Sequence, residues 1–279
     1  MNVETQTVVL AVLVAVVGMP HGGLDHRFGR ALLRPALGGR WMIVFGAGYL
    51  AVMALVLAGW LLAPLLTLAG FVLLSAVHFG LADDDLGLPG GLAPTALQGG
   101  MVVWVPALFQ PAEFTRLLTW VVPGDRWPEN ILFDSEVRFG LWAALAVIVV
   151  RTAVSPKWSA ARTLGFLVVF AVAPPLIGFV VYFCFWHSVI ELVRLGRWAD
   201  MSGVAVGVRR VIVTAAPLSA LAVLLGVFGF ALVAADRPLT PGLVQTVFVG
   251  LSVVAVPHML LNLVAARRNV NPFASEVSR

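Results

Sequence analysis

The chain has 279 residues, 60% of them hydrophobic and only 11% charged, with a formal net charge of +4 and a mean hydropathy of +0.98. Soluble domains carry about 25% charged residues, so a soluble globular protein is excluded and a polytopic membrane protein is expected. The excess of Lys and Arg forms no basic stripe interleaved with aromatics, so it is read as anchoring of cytoplasmic loops, with no nucleic-acid partner.

Continuous apolar windows lie at 4–21, 41–62, 64–82, 92–111, 137–153, 163–193, 209–234 and 241–265, and runs of this kind predict helices. Their length of roughly 20 residues, without ten-residue alternation, predicts an all-α transmembrane helix bundle embedded in the lipid bilayer, not a barrel. No linker divides residues 1–279, so one domain is expected. The first window lacks a basic leader and a small-residue cleavage pattern, and is read as a mature helix. It ends in a loop, 21–40, holding Arg27, Arg30, Arg34 and Arg40, which sets its C-terminal end on the cytoplasmic side.

Eight spans would put 8 Lys and Arg inside and 10 outside, against the positive-inside rule. Changing the parity before the 163–193 segment gives 14 inside and 4 outside, so an odd count is expected. Seven is favoured, with 92–111 interfacial or re-entrant. Nine would require a break at Pro174-Pro175 and a piece of about 12 residues, roughly 18 Å of helix, to cross a core of about 30 Å. Seven spans place the N-terminus outside and the C-terminus in the cytoplasm of a cell-membrane protein.

The five histidines concentrate the chemistry: His21 and His26 in Met19-Pro20-His21-Gly22-Gly23-Leu24-Asp25-His26, then His78, His187 and His258 in three further apolar segments. An ionisable residue inside a membrane helix is costly and by default functional. Any single one is equally explained by an interhelical hydrogen bond. Together they resemble the inward-facing metal sites of helix bundles, with imidazoles suited to iron, copper or zinc. The odd span count brings His21, His78 and His187 to one face, with His258 a turn or two deeper.

Glu191 follows His187 by four residues, on the same helix face at about 6 Å. It could reach the same metal, or pair with Arg194 or Arg197. Asp25 is suited to accept the remaining N–H of a metal-bound imidazole, or to cap the next segment. His26 is either a further ligand or a loop residue, and Gly22-Gly23 permits a left-handed exit or close packing. Asp83-Asp84-Asp85 reads as a solvated loop. The aromatic run Phe179, Tyr182, Phe183, Phe185 and Trp186 could line a groove for an elongated apolar ligand, or face lipid. Nothing supports a hydrolase, a zincin or a nucleotide-binding protein.

His21-Gly22-Gly23-Leu24-Asp25-His26, His78-Phe79-Gly80 and Pro257-His258 together resemble the Brp/Blh family of integral-membrane β-carotene 15,15′-dioxygenases. The resemblance covers most of the chain and implies ferrous iron, Fe(2+), bound by imidazoles, here at His21, His78 and His187. It also implies β-carotene and dioxygen as substrates, cleavage of the central double bond to two retinals, and a functional link to a microbial rhodopsin. One position departs: where the family has His-Ser-x-x-His, this chain has His187-Ser188-Val189-Ile190-Glu191, which makes Glu191 the candidate fourth ligand. His26, His258 and Asp25 remain candidates for an added or supporting role. A non-catalytic carotenoid- or retinal-binding partner of a rhodopsin is the alternative implied by the altered ligand set.

Overall fold

A computed structural model describes residues 1–83, 91–122, 130–199, 204–233, 237–268 and 270. The described chain is helical throughout, without a strand. In order, the helices are α1 (Val3–Leu13), α2 (Asp25–Leu37), α3 (Trp41–Leu62), α4 (Pro64–Asp83), α5 (Leu92–Gly99), α6 (Met101–Phe109), α7 (Pro111–Val121) and α8 (Ser135–Ala153). They continue with α9 (Lys157–Val172), α10 (Pro175–Tyr182), α11 (Ser188–Ala199), α12 (Val204–Val233) and α13 (Leu239–Arg267).

Five stretches are long and apolar enough to cross a membrane: Val3–Leu62, Pro64–Asp83, Pro175–Ala199, Val204–Leu232 and Leu239–Arg267. The first holds 60 residues, about 90 Å if straight, three times the thickness of a bilayer core. It folds back on itself, α2 packing against α3. The outer helices invert the usual rule of burial. In α3 only Trp60 is buried, while Ile43, Leu50, Leu55 and Leu61 are exposed, as a lipid-facing helix requires.

Four sequence expectations change. The segment expected as the loop 21–40 is largely α2, an amphipathic helix whose Arg27, Arg30 and Arg34 recur at one helical face while Phe28 is buried. The 163–193 segment is not one helix: α9 stops at Val172, Ala173 is extended and Pro175 starts α10, because a residue before proline disfavours the helical region. The 92–111 window is two helices bent by 60°, hinged at Gly99–Gly100. A further helix, α7, occupies 111–121, begun by Pro111 at its first turn. Gln110 donates through Nε2 to the carbonyls of Phe170, Ala171 and Ala173 at 3.3, 3.3 and 2.8 Å, satisfying acceptors that the break after α9 would leave orphaned.

The core is a large cluster including Leu10, Val105, Phe170, Leu176 and Cys184, with a smaller one around Leu24, Leu192, Val211 and Ala215. Two of the close approaches that depend on glycine bear on the site. A methyl at Gly23 would stand 2.6 Å from the Ala215 Cβ, so Gly23 is used for packing against α12, Gly22 faces the His258 ring with room to spare, and neither makes a left-handed exit, positive φ being confined among the described glycines to Gly38 and Gly91. Gly80 and Gly99 likewise let the backbones of α4 and α5 touch.

Candidate metal centre and substrate cavity

Two of the histidines are delivered by helices that widen just before them. Val14–Gly18 and Phe183–His187 each form a π turn, the first leading through the 3-10 turn Met19–Leu24 that carries His21, the second ending on His187. Single π turns recur at functional sites because the extra residue re-aims the side chains that follow. Ser188 closes the second turn by donating its hydroxyl to the Phe183 carbonyl at 2.8 Å. His78 comes from α4 and His258 from α13, directly after Pro257.

The four rings form a closed circuit. Centroid separations are 5.2 Å for His21–His187, 5.3 Å for His21–His258, 5.2 Å for His78–His187 and 5.6 Å for His78–His258. A metal–nitrogen bond of about 2.1 Å places an imidazole centre roughly 3.2 Å from an ion, so neighbours in a tetrahedral set stand about 5.2 Å apart. The spacing therefore fits one ion. His21 Nδ1, His78 Nε2 and His187 Nε2 are buried without a hydrogen-bond partner, which a protein avoids unless something else meets the nitrogen. Yet among the described residues no group of three or more such side chains closes tightly enough to clamp an ion.

His258 has both nitrogens engaged. Nδ1 is 2.7 Å from Asp25 Oδ1 and Nε2 is 2.9 Å from the Asn262 amide. A carboxylate at Nδ1 holds the proton there and puts the lone pair on Nε2, where it accepts from the Asn262 amide; a metal at His258 would displace that amide. Asp25 is itself held by Tyr49, whose hydroxyl donates to Oδ2 at 2.8 Å. Asp25 thus supports an imidazole, as its chemistry suggested, and caps no helix, since the first turn of α2 has no side-chain cap.

Glu191 is placed elsewhere. Its Oε1 lies 2.8 Å from the Arg194 guanidinium, and the fourth ring facing His21 and His78 belongs to His258. His26 is partly buried and joins none of the ring contacts among the described residues.

Sequence reasoning missed Asp83. Expected in a solvated loop, it is buried at the end of α4, accepting from the Tyr182 hydroxyl at 2.9 Å and from Trp186 Nε1 at 3.1 Å. Arg162 and Arg194 donate to the carbonyls of Asp83 and Ala82 at 3.0 and 3.1 Å. An acid at a helix C-terminus opposes the helix dipole, and that conflict was the available signal that Asp83 needed partners. Asp84 and Asp85 lie outside the described residues. The clamp ties the helix of His78 to the helix of His187, and it divides the aromatic run: Tyr182 and Trp186 serve Asp83, Phe179 and Phe183 face the cavity, and Phe185 is exposed.

A cavity of about 420 Å³ has all five histidines and Asp25 on its wall and is otherwise almost wholly apolar, bordered by Phe71, Leu117, Phe179, Leu225 and Phe248 among others. An apolar chamber with a few convergent polar groups is the usual form of a small-molecule site.

The chain matches the family model described as Beta-carotene 15,15′-dioxygenase over residues 12–264. It is 30% identical over 264 residues to the "Beta-carotene 15,15′-dioxygenase" of uncultured marine bacterium 66A03, covering 89% of this chain and 90% of that protein. It is 32% identical over 211 residues to the "Probable beta-carotene 15,15′-dioxygenase Blh" of Halobacterium salinarum, covering 66% of this chain and 60% of that protein. No solved structure matches. With the match running across nearly all the helices that carry the four imidazoles, the chain belongs to the β-carotene 15,15′-dioxygenase family, the one its histidine motifs resemble.

Proposed function

We propose that the protein cleaves β-carotene at its central double bond with dioxygen, each of the two carbons taking one oxygen atom, to give two molecules of retinal. The observation that carries this reading is a largely apolar cavity lined by the four mutually contacting imidazoles of His21, His78, His187 and His258. The metal is ferrous iron, held by His21, His78 and His187, with His258 as the fourth imidazole in place of Glu191. Bound iron supplies the activation of triplet dioxygen, whose direct reaction with a closed-shell polyene is spin-forbidden. The chain's own part is to take the polyene from lipid, keep water away from it, and set its central bond beside the histidines. Asp25 keeps the His258 proton on Nδ1. The protein crosses the membrane an odd number of times, with the N-terminus outside and the C-terminus in the cytoplasm, as the division of Lys and Arg supports.

The test is expression in a β-carotene-producing bacterium followed by pigment extraction. Loss of colour with retinal formation is expected; intact carotene beside well-expressed protein would refute the activity and favour a carotenoid-binding partner. Metal analysis of His258→Ala separates the ligand sets: iron should fall as it does in His78→Ala, and undiminished iron would exclude His258.

A further inference from the structure

A second cavity, of about 490 Å³, also reaches the histidines, with His21, His78 and His258 on its wall. The order of residues along the helices fixes where it lies. On α4 the apolar cavity is bordered from Leu68 to Phe79 and the second one from Leu74 to Ala82, the two overlapping around His78. On α10 and α11, Leu176 and Phe179 come before His187, and Glu191, Arg194 and Trp198 after it. On α13, Leu251 and Val254 come before His258, and Asn262 and Ala266 after it. Three helices thus run the same way through a layer of imidazoles, with the apolar chamber on one side and this vestibule on the other.

The vestibule differs in chemistry. It contains a carboxylate, a guanidinium and an amide: Glu191, Arg194 and Asn262. The Glu191 side chain is 17% exposed and that of Arg194 33%, so neither is sealed inside the bundle. Glu191 is near enough to act electrostatically on His258, and Arg194 on His78 and His187. A hydrated divalent cation has no reason to enter through the lipid-depth chamber, where nothing replaces its water. It needs an oxygen donor at a wet opening, one helical turn from the imidazoles.

The geometry points to the vestibule as the route by which the metal is loaded, with Glu191 as a transit ligand that captures the hydrated cation and passes it to the histidine layer. This rests on the metal reading above. Arg194 occupies Glu191 when no cation is present and is displaced by an incoming one. No covalent bond changes and no electron moves; water and carboxylate oxygens are exchanged for imidazole nitrogens. Glu191 therefore governs how fast the site fills and not how much it holds.

The experiment uses full-length protein in detergent, stripped by a chelator and mixed anaerobically with ferrous iron, with bound iron measured against time after rapid desalting. Glu191→Gln should load roughly tenfold more slowly, as expected when a charged cleft loses its focusing group, and reach the same final iron content. Ala266→Trp, at an exposed position on α13, narrows the vestibule without touching a histidine and should slow loading too. Wild-type loading rates in both variants would overturn the route. A lowered final iron content in Glu191→Gln would make Glu191 a resident ligand and overturn its transit role. Wild-type protein that takes up no iron would instead strike the metal reading, and this inference with it.

Discussion

Asp25 tests whether His258 belongs to the metal set. Its Oδ1 meets His258 Nδ1 at 2.7 Å and its Oδ2 receives the Tyr49 hydroxyl at 2.8 Å. In Asp25→Asn the amide oxygen can still accept from Nδ1–H, and Tyr49 can turn its proton to the Val254 carbonyl at 3.2 Å. Geometry survives and the charge is lost. A charge-assisted hydrogen bond contributes about 1.5–3 kcal/mol and a neutral one about 0.5–1.5, so roughly 1–1.5 kcal/mol of support for the ligating tautomer disappears. That is about tenfold in metal affinity. Asp25→Ala removes the orienting group altogether and should reach the upper part of the 10- to 100-fold range found for such partners. The assay is a competition titration with a chromophoric chelator under anaerobic conditions, run beside thermal unfolding of the metal-free proteins. Graded affinity, Asp above Asn above Ala, with similar metal-free stability is the expected outcome. Equal affinities in all three would mean that His258 is not a ligand and that the Asp25 pair only packs.

Three further outcomes follow from the packing. Gly23→Val should destabilise the protein by about 1–3 kcal/mol through overpacking against α12, read as a lower unfolding temperature in detergent; Ala215→Gly in the same chain should recover part of it, and no recovery would locate the clash elsewhere. Tyr182→Phe should cost about 1–3 kcal/mol by leaving a buried Asp83 oxygen short of a donor, whereas Phe185→Leu, at an exposed position, should cost within about 0.5 kcal/mol; equal losses would dismiss the clamp. A reporter fused to the C-terminus should read cytoplasmic, as the 14 to 4 division of Lys and Arg requires, and a periplasmic signal would refute the odd span count.

Much of the site was legible because a membrane interior makes ionisable residues conspicuous. Four of five histidines in apolar segments could be singled out without knowing their neighbours, and the parity argument brought three of them to one face. Their order around the site was not legible. His258 was expected deeper than the rest, and Glu191, offered as either a ligand or a partner of Arg194, is paired with Arg194, since helical spacing reports what shares a face with His187 but not which way a long carboxylate turns when Arg194 is also one turn away. Amphipathic helices were lost for a related reason: α2 and α7 are too polar for an apolar window, although the arginine spacing of α2 carries the period. The break before α10 was visible in Pro174-Pro175 and was given too little weight beside the length of the run. The π turns leave no trace in composition at all, being a property of hydrogen-bond register and not of residue type.

Those turns have a bearing on how such a site arises. A π turn is an α-helix with one residue too many, and each residue advances a helix by about 100°. Removing one residue from Phe183–His187 would therefore let the turn close to regular α-helix with its two flanks still in phase, and would re-aim the side chains of the turn itself, His187 among them. The centre depends on two single-residue insertions as much as on its imidazoles. Alignments that place gaps freely near His21 and His187 will misjudge which chains retain the chemistry, and redesigns that regularise these helices to raise stability should abolish metal binding while leaving every histidine in the sequence.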